Sequence, residues 1–377
     1  MHDWMFAYIF NFYDLLLLTV TILAVLLIIP LLLKKDRQTS DLLLSAFLFS
    51  QGASSLVNVL LFNQSLSPLT FSALTPFQFL PIAMVDMTQG FLLLWYCQSM
   101  IGEKTNINNI STWAIATLFI LIITLDTNQM YYQQYISKHP TWSWMLLISS
   151  TYLGVSALRK LLKYDRKIRQ NYSNIDKVKL NWLWYSSLGF VGVWALKLSA
   201  IMLGSMNFGL LANQIATFSN IPPLLLLICM VIYSQTTEIN GQLFDPEQKA
   251  SDNANNANQT LGNQLQKDKI ENLMTQVKIY QDPELRLEGL ADSMGISPRS
   301  VSSLLNGHYR KNFYDFINFY RVKDAEQQLK DPINLNKTIQ RIFEDAGFNS
   351  KTTFNTLFKK LTGQTPSEYR RRYETVG

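Results

Sequence analysis

Two short stretches near the C-terminal end gather small polar and basic side chains. Arg299, Ser300 and Ser303 form one group, and Ser350, Lys351, Thr352 and Asn355 the other. Hydroxyls, an amide and cationic heads on one helix face can donate to and accept from base edges. Arg pairs best with guanine and Asn with adenine. Lys359, Lys360, Arg370, Arg371 and Arg372 follow the second group, and such cations suit phosphates, which set register and give a salt-dependent attraction. A different chemistry is open to Asp86 and Lys197, single charges within apolar runs, where an ionisable group faces a partner or a wet cavity. Metal chemistry finds no support. His2, His139 and His308 lack ligand spacing, and the two cysteines, Cys97 and Cys229, lie in apolar runs and read as core residues. No phosphate loop, nucleophile elbow, kinase set or zinc-protease motif occurs, so the expectation is a non-enzyme without cofactor.

Helices must carry these groups. Ile270–Tyr280 places Ile270, Leu273, Met274 and Val277 at helical spacing, and Asp282-Pro283 stops it. Leu287–Met294 is a short helix closed by Gly295. Ser297-Pro298 then caps a second, Pro298–Asn306, with Val301, Leu304 and Leu305 inward. A long helix, Phe313–Lys330, has Phe316, Ile317, Tyr320, Ala325 and Leu329 as core candidates. The two-helix unit then recurs as Thr338–Asp345, Gly347 and Ser350–Leu361, with Phe354, Leu357 and Phe358 inward. Helix, glycine turn and polar-faced helix make a helix-turn-helix, here present twice.

Residues 270–373 resemble the DNA-binding domain of AraC/XylS-type transcription regulators. The resemblance rests on Ile339, Gly347-Phe348-Asn349-Ser350, Phe354, Phe358-Lys359-Lys360, Gly363, Thr365-Pro366 and Tyr369-Arg370. Leu290-Ala291, Gly295, Ser297 to Leu305, Arg321 and Ala325 fit the first half, with Leu305 where the family often has Phe. It covers under a third of the chain. It implies that both second helices enter successive major grooves on one side of the duplex. Groove turns are about 34 Å apart, and a spacer helix of 18 residues spans about 27 Å. RNA polymerase is a further candidate partner, and a homodimer is compatible with such a reader although no heptad seam is visible.

The rest of the chain is of another kind. Hydrophobic residues make up 48 % of the 377 and charged residues 16 %, below the roughly 25 % of soluble domains. Residues 1–234 hold 14 Lys/Arg and 9 Asp/Glu, whereas 266–377 hold 18 and 14 in half the length. Between them, 235–265 includes the polar run Ser251–Gln264 and reads as a flexible linker reaching about 30 Å. Seven apolar runs approach the roughly 20 residues of a membrane span: Leu15–Leu33, Leu42–Phe62, Phe77–Met100, Thr112–Leu125 with flanks, Trp142–Leu162, Trp182–Leu203 and Leu210–Tyr233. With the N-terminus outside, the inward loops carry 12 basic residues and the outward loops only Lys138, which orients the C-terminus to the cytoplasm. Asp86 and Lys197 then lie about 15 Å and 9 Å below the outer surface, close enough in depth to pair. The basic loop from Arg159 to Lys179 suits anionic lipid or the C-terminal domain itself.

The fold expected is therefore all-α: a seven-helix transmembrane bundle over 1–234, a linker over 235–265, and a double helix-turn-helix over 266–377. The corresponding function is a one-component regulator in the bacterial cytoplasmic membrane. It would sense an unidentified signal through the bundle and bind double-stranded promoter DNA. The alternative is a transporter or receptor with a C-terminal regulatory domain. No pair of spans shows the matched Gly/Pro interruptions of a transporter site.

Overall fold

The computed structural model describes residues 12–62, 80–103, 141–236 and 259–374, apart from 177, 207, 220 and 335. Among the described residues the regular structure is helical, and an isolated antiparallel bridge joins Tyr172 to Arg286. The chain divides into two compact units. Met1–Leu162 and Leu180–Leu243 form the first, and Lys163–Lys179 together with Phe244–Gly377 form the second.

The first unit contains α1 (Phe12–Leu33), α2 (Thr39–Phe62), α3 (Leu80–Met100), the greater part of α4 (Thr141–Asn171), α5 (Asn181–Ser205), α6 (Gly209–Phe218) and α7 (Ile221–Thr236). Three stretches are long and apolar enough to cross a membrane: Asp14–Leu33, Thr39–Leu60 and Asn181–Gly204. They match the first, second and sixth expected spans. Helices α3 and α4 form where the third and fifth were expected, and α4 continues nine residues past Leu162 as a basic extension. Thr112–Leu125 lies outside the described residues. The seventh run is not one helix, because α6 stops at Phe218 and α7 begins at Ile221. Pro222 and Pro223 occupy the first turn of α7. There their missing N–H groups do no harm, but they would break a helix passing through. At 1.5 Å per residue the two pieces are about 15 Å and 24 Å long, each short of a bilayer core.

Large apolar side chains cover the outside of this unit. Ile22, Val25, Leu26 and Leu33 of α1, Phe49 of α2 and Tyr185 of α5 are all exposed. Each such side chain left in water forgoes about 1.5–3 kcal/mol of burial. Cys97 is buried as expected, with Sγ 3.6 Å from Ser187 Oγ. Cys229 is instead exposed, on the outer side of α7.

The second unit contains the end of α4, then α8 (Gln259–Thr275), α9 (Leu287–Met294), α10 (Pro298–Leu304), α11 (Phe313–Lys330), α12 (Ile339–Asp345), α13 (Lys351–Thr362) and α14 (Pro366–Glu374). Two hydrophobic cores are built in sequence. Ile270, Met274, Leu290, Val301, Leu305, Phe316 and Ile317 close the first. Val322, Ala325, Leu329, Ile342, Phe348, Phe354 and Phe358 close the second. Helix α11 serves both, its first half in one core and its second half in the other.

Four expectations need correction here. Helix α8 begins at Gln259, inside the stretch read as linker, because a helix anchored by buried Ile270 and Met274 propagates backwards through residues that tolerate it. It ends at Thr275 rather than running to Tyr280, and Val277 is exposed. The carbonyl of Asn272 takes the N–H groups of both Gln276 and Val277, and Lys278 turns the chain through a left-handed φ of 53°. Helix α10 ends at Leu304, and a wider π-type turn carries Leu305–Tyr309. Tyr320 and Leu357 lie at the edges of their cores, partly buried.

Candidate nucleic-acid interface

Each two-helix unit is positioned by a glycine turn and a capped second helix. Gly295 sits at φ 67° and Gly347 at φ 90°, where a side chain is strained. At Gly347 a Cβ would also meet Tyr280 O at 2.6 Å and Gln281 Cα at 2.9 Å, so the turn packs directly on the chain after α8. Ser297 Oγ accepts the N–H of Ser300 at 3.1 Å, and Ser350 Oγ accepts that of Thr353 at 3.3 Å. These bonds satisfy N–H groups that a helix start otherwise leaves bare.

On α10, Val301 and Leu304 turn inward, Arg299 and Ser303 are exposed, and Ser300 is half-buried. The Ser300 hydroxyl lies 2.8 Å from that of Ser297, so it takes part in the cap. On α13, Phe354 and Phe358 turn inward, Lys351 and Thr352 are exposed, and Asn355 is half-buried. Ser350 is the cap itself and has the same divided role as Ser300. The seven residues thus fall into two polar faces, one on the second helix of each core.

The cations assemble where α13 meets α14. Phe358 and Tyr369 pack edge to face with centroids 5.4 Å apart, which brings Lys359 and Lys360 to the same end as Arg370–Arg372. Lys359 and Lys360 are exposed in the last turn of α13, where the helix dipole favours positive charge. Arg371 and Arg372 are exposed, while Arg370 is half-buried with Nη2 enclosed and without a partner among the described residues. Glu326 stabilises this corner: its carboxylate takes Tyr369 Oη at 2.6 Å, Lys323 Nζ at 2.8 Å and Lys330 Nζ at 2.9 Å. Burial opposes its charge, but those three donors outweigh burial and bring its pKa down to about 2.

Arg321, noted in the sequence only as part of the family pattern, is the hub of the unit and 1 % exposed. Its Nε donates to Tyr280 O at 2.7 Å and its Nη2 to Asp282 O at 2.7 Å. Further donations reach Ser173 O at 3.3 Å and Ser173 Oγ at 3.0 Å. Burial lowers its pKa to about 10, so it remains cationic, solvated by carbonyls and a hydroxyl. Nothing in local spacing pointed to this, since Ser173 precedes Arg321 by 148 residues.

In the first unit, Asp86 and Lys197 form no direct salt bridge, although Lys197 is near enough for its charge to act on Asp86. Asp86 accepts from Ser54 Oγ and from Gln89 Nε2, and the Lys197 ammonium lies 4.9 Å from the centre of the Trp194 ring. Lys197, Trp194, Ser54, Gln51, Asn58 and Gln89 line one cavity, whose remaining walls are largely apolar, among them Phe47, Leu93, Phe190 and Met230. No group of His, Cys, Asp or Glu suited to a metal ion occurs among the described residues.

Residues 290–372 match the family model described as a helix-turn-helix domain. The chain is 29 % identical over 120 residues to the uncharacterized HTH-type transcriptional regulator YijO of Escherichia coli (strain K12). That match covers 30 % of this chain and 41 % of YijO. It is 31 % identical over 93 residues to the uncharacterized transcriptional regulatory protein YesN of Bacillus subtilis (strain 168), covering 24 % of this chain and 25 % of YesN. An uncharacterized HTH-type transcriptional regulator of Staphylococcus aureus (strain COL) is 28 % identical over 106 residues, 28 % of this chain and 14 % of its own length. The chain spans less than half the length of each of these relatives. No solved structure matches it at a significant level.

Proposed function

We propose that this chain is a membrane-anchored one-component transcription regulator. In this reading residues 1–234 form a multi-pass sensor in a bacterial cytoplasmic membrane, 235–265 a connector, and 266–377 a cytoplasmic reader of promoter DNA. The observation that carries the DNA half is the pair of capped, polar-faced helices, α10 and α13, each fixed on its own core and both joined by α11. An α-helix fits the major groove, and two such helices read two stretches of sequence. Arg299, Ser300 and Ser303 on one, and Ser350, Lys351, Thr352 and Asn355 on the other, are assigned to base edges. Lys359, Lys360 and Arg370–Arg372 are assigned to phosphates.

The membrane half rests on the three long apolar helices, their exposed apolar faces and the concentration of basic residues on one side of the expected spans. In this reading the cavity beside Lys197 and Trp194 is the sensing site. It offers amides, hydroxyls and one ammonium within a mostly apolar lining, a set suited to a small amphipathic ligand with an anionic group.

The DNA assignment is tested by neutralising Lys359, Lys360 and Arg370–Arg372 to Gln. Affinity for every duplex should fall, and the slope of log affinity against log salt should flatten by about 0.9 for each lost phosphate contact. An unchanged slope refutes their role.

A further inference from the structure

The second unit contains a segment from far upstream. Residues 163–179 lie between α4 and α5, yet they fold with the reader. Tyr164 Oη closes the segment on Val178 O at 2.9 Å, and Ile168 and Ile175 are buried. Ser173 is its anchor. The Ser173 N–H donates to Leu285 O at 3.3 Å and its hydroxyl to the same oxygen at 2.6 Å. Asn318 Nδ2 donates to Ser173 O at 3.0 Å, alongside the two bonds from Arg321. Arg169 lies 5.2 Å from the centre of the Tyr314 ring, and Arg286 lies 5.2 Å from that of Tyr172. One face of the reader, made by the chain before α9 and the middle of α11, is thus shaped to hold this piece of the same protein.

Three residues beyond the anchor is Asp176. Its carboxylate accepts the hydroxyl of Thr353, whose Oγ1 lies 2.7 and 2.8 Å from the two oxygens. Thr353 is in the first turn of α13, directly after Lys351 and Thr352. The first turn of a helix carries the positive end of its dipole, which draws an anion, here beside a Thr353 whose own N–H is already capped by Ser350. DNA-reading helices use that same feature to hold a backbone phosphate. A carboxylate held at that turn repels any phosphate that approaches it.

We propose that residues 172–176 are a built-in competitor of DNA, with Asp176 standing on Thr353 as a phosphate substitute and Ser173 holding it there. DNA binding then requires Asp176 to leave α13. Because the segment is continuous with α4 and α5, a shift of either helix reaches the second recognition helix without passing through the polar connector. This inference rests on the DNA-reading role proposed above.

The test uses the full chain in lipid nanodiscs and a fluorescent duplex enriched from a random-sequence pool by the chain itself. Asp176→Asn should tighten binding roughly three- to tenfold, the range expected for removing one negative charge a few ångströms from a phosphate. Thr353→Val should do the same, and the double variant should gain no more than either single one. Asp165→Asn is the control, since Asp165 is in the same segment but pairs with Arg169 at 2.9 Å; it should change affinity less than twofold. If D176N leaves affinity unchanged, or if D165N tightens binding equally, the competitor role is overturned while the DNA assignment stands. If neither the parent chain nor any variant binds duplex, the DNA assignment fails and the competitor role with it.

Discussion

At the scale of single residues, the two turn glycines separate two effects that sequence alone treats as one. Gly295→Ala should lose about 1 kcal/mol from left-handed strain, since its Cβ would meet only the end of Lys269 at 3.8 Å. Gly347→Ala adds a collision with the backbone of Tyr280 and Gln281, which cannot move without disturbing the Arg321 bonds, and should lose about 2–4 kcal/mol. Thermal unfolding of the reader followed by circular dichroism would rank them; equal shifts would contradict the close packing at Gly347. Both glycines were legible in the sequence as turns, as was Ser297 as a cap. Arg321 and Asp176 were not legible as contact residues. Their meaning depends on Ser173 and Thr353, which lie 148 and 177 residues away in the chain, and local spacing is silent at such separations.

At the scale of elements, α11 is the piece on which the reader depends. It supplies Phe316 and Ile317 to one core and Val322, Ala325 and Leu329 to the other. Its Glu326 also ties α14, and with it the arginine cluster, through Tyr369. The Glu326 pKa of about 2 lies below the roughly 4.3 of an unfolded glutamate. Its stabilisation is therefore fully present above about pH 5 and is lost as pH falls through 4 toward 2. With solvent screening allowed for, Glu326→Gln should lose about 1–2 kcal/mol at pH 7 and remove that part of the acid sensitivity. Unfolding by urea at pH 7 and pH 3 checks this; an E326Q chain as acid-sensitive as the parent would refute it. Helical periodicity was enough to place α9 to α13 within a residue or two. It failed where continuity is decided by particular residues: Pro222 and Pro223 split the last apolar run, and α8 extends into polar residues because its packed end nucleates it.

At the scale of the whole molecule, two unlike halves of sequence correspond to two differently built units, but the division is not a single cut. Composition separates a charge-poor block from a charged one, and on that criterion the basic stretch 163–179 belongs with the first. The structure counts it with the second, because its bonds, not its position in the chain, decide where it folds. The proposed orientation can be checked by fusing a reporter active only in the cytoplasm after Glu374, where it should be active, and before Phe12, where it should be silent. The reverse pattern would place the reader away from DNA.

The central claim is that a chain held in the membrane reads specific DNA through α10 and α13. The most direct measurement cross-links DNA to the full chain in living cells, isolates membranes and sequences the attached fragments. Discrete sites should be recovered with the membrane fraction. Those sites should be lost, at about 1–3 kcal/mol for each removed base contact, when Arg299 and Lys351 are changed to Ala. A pattern indistinguishable from background, or sites unaffected by R299A and K351A, would contradict it.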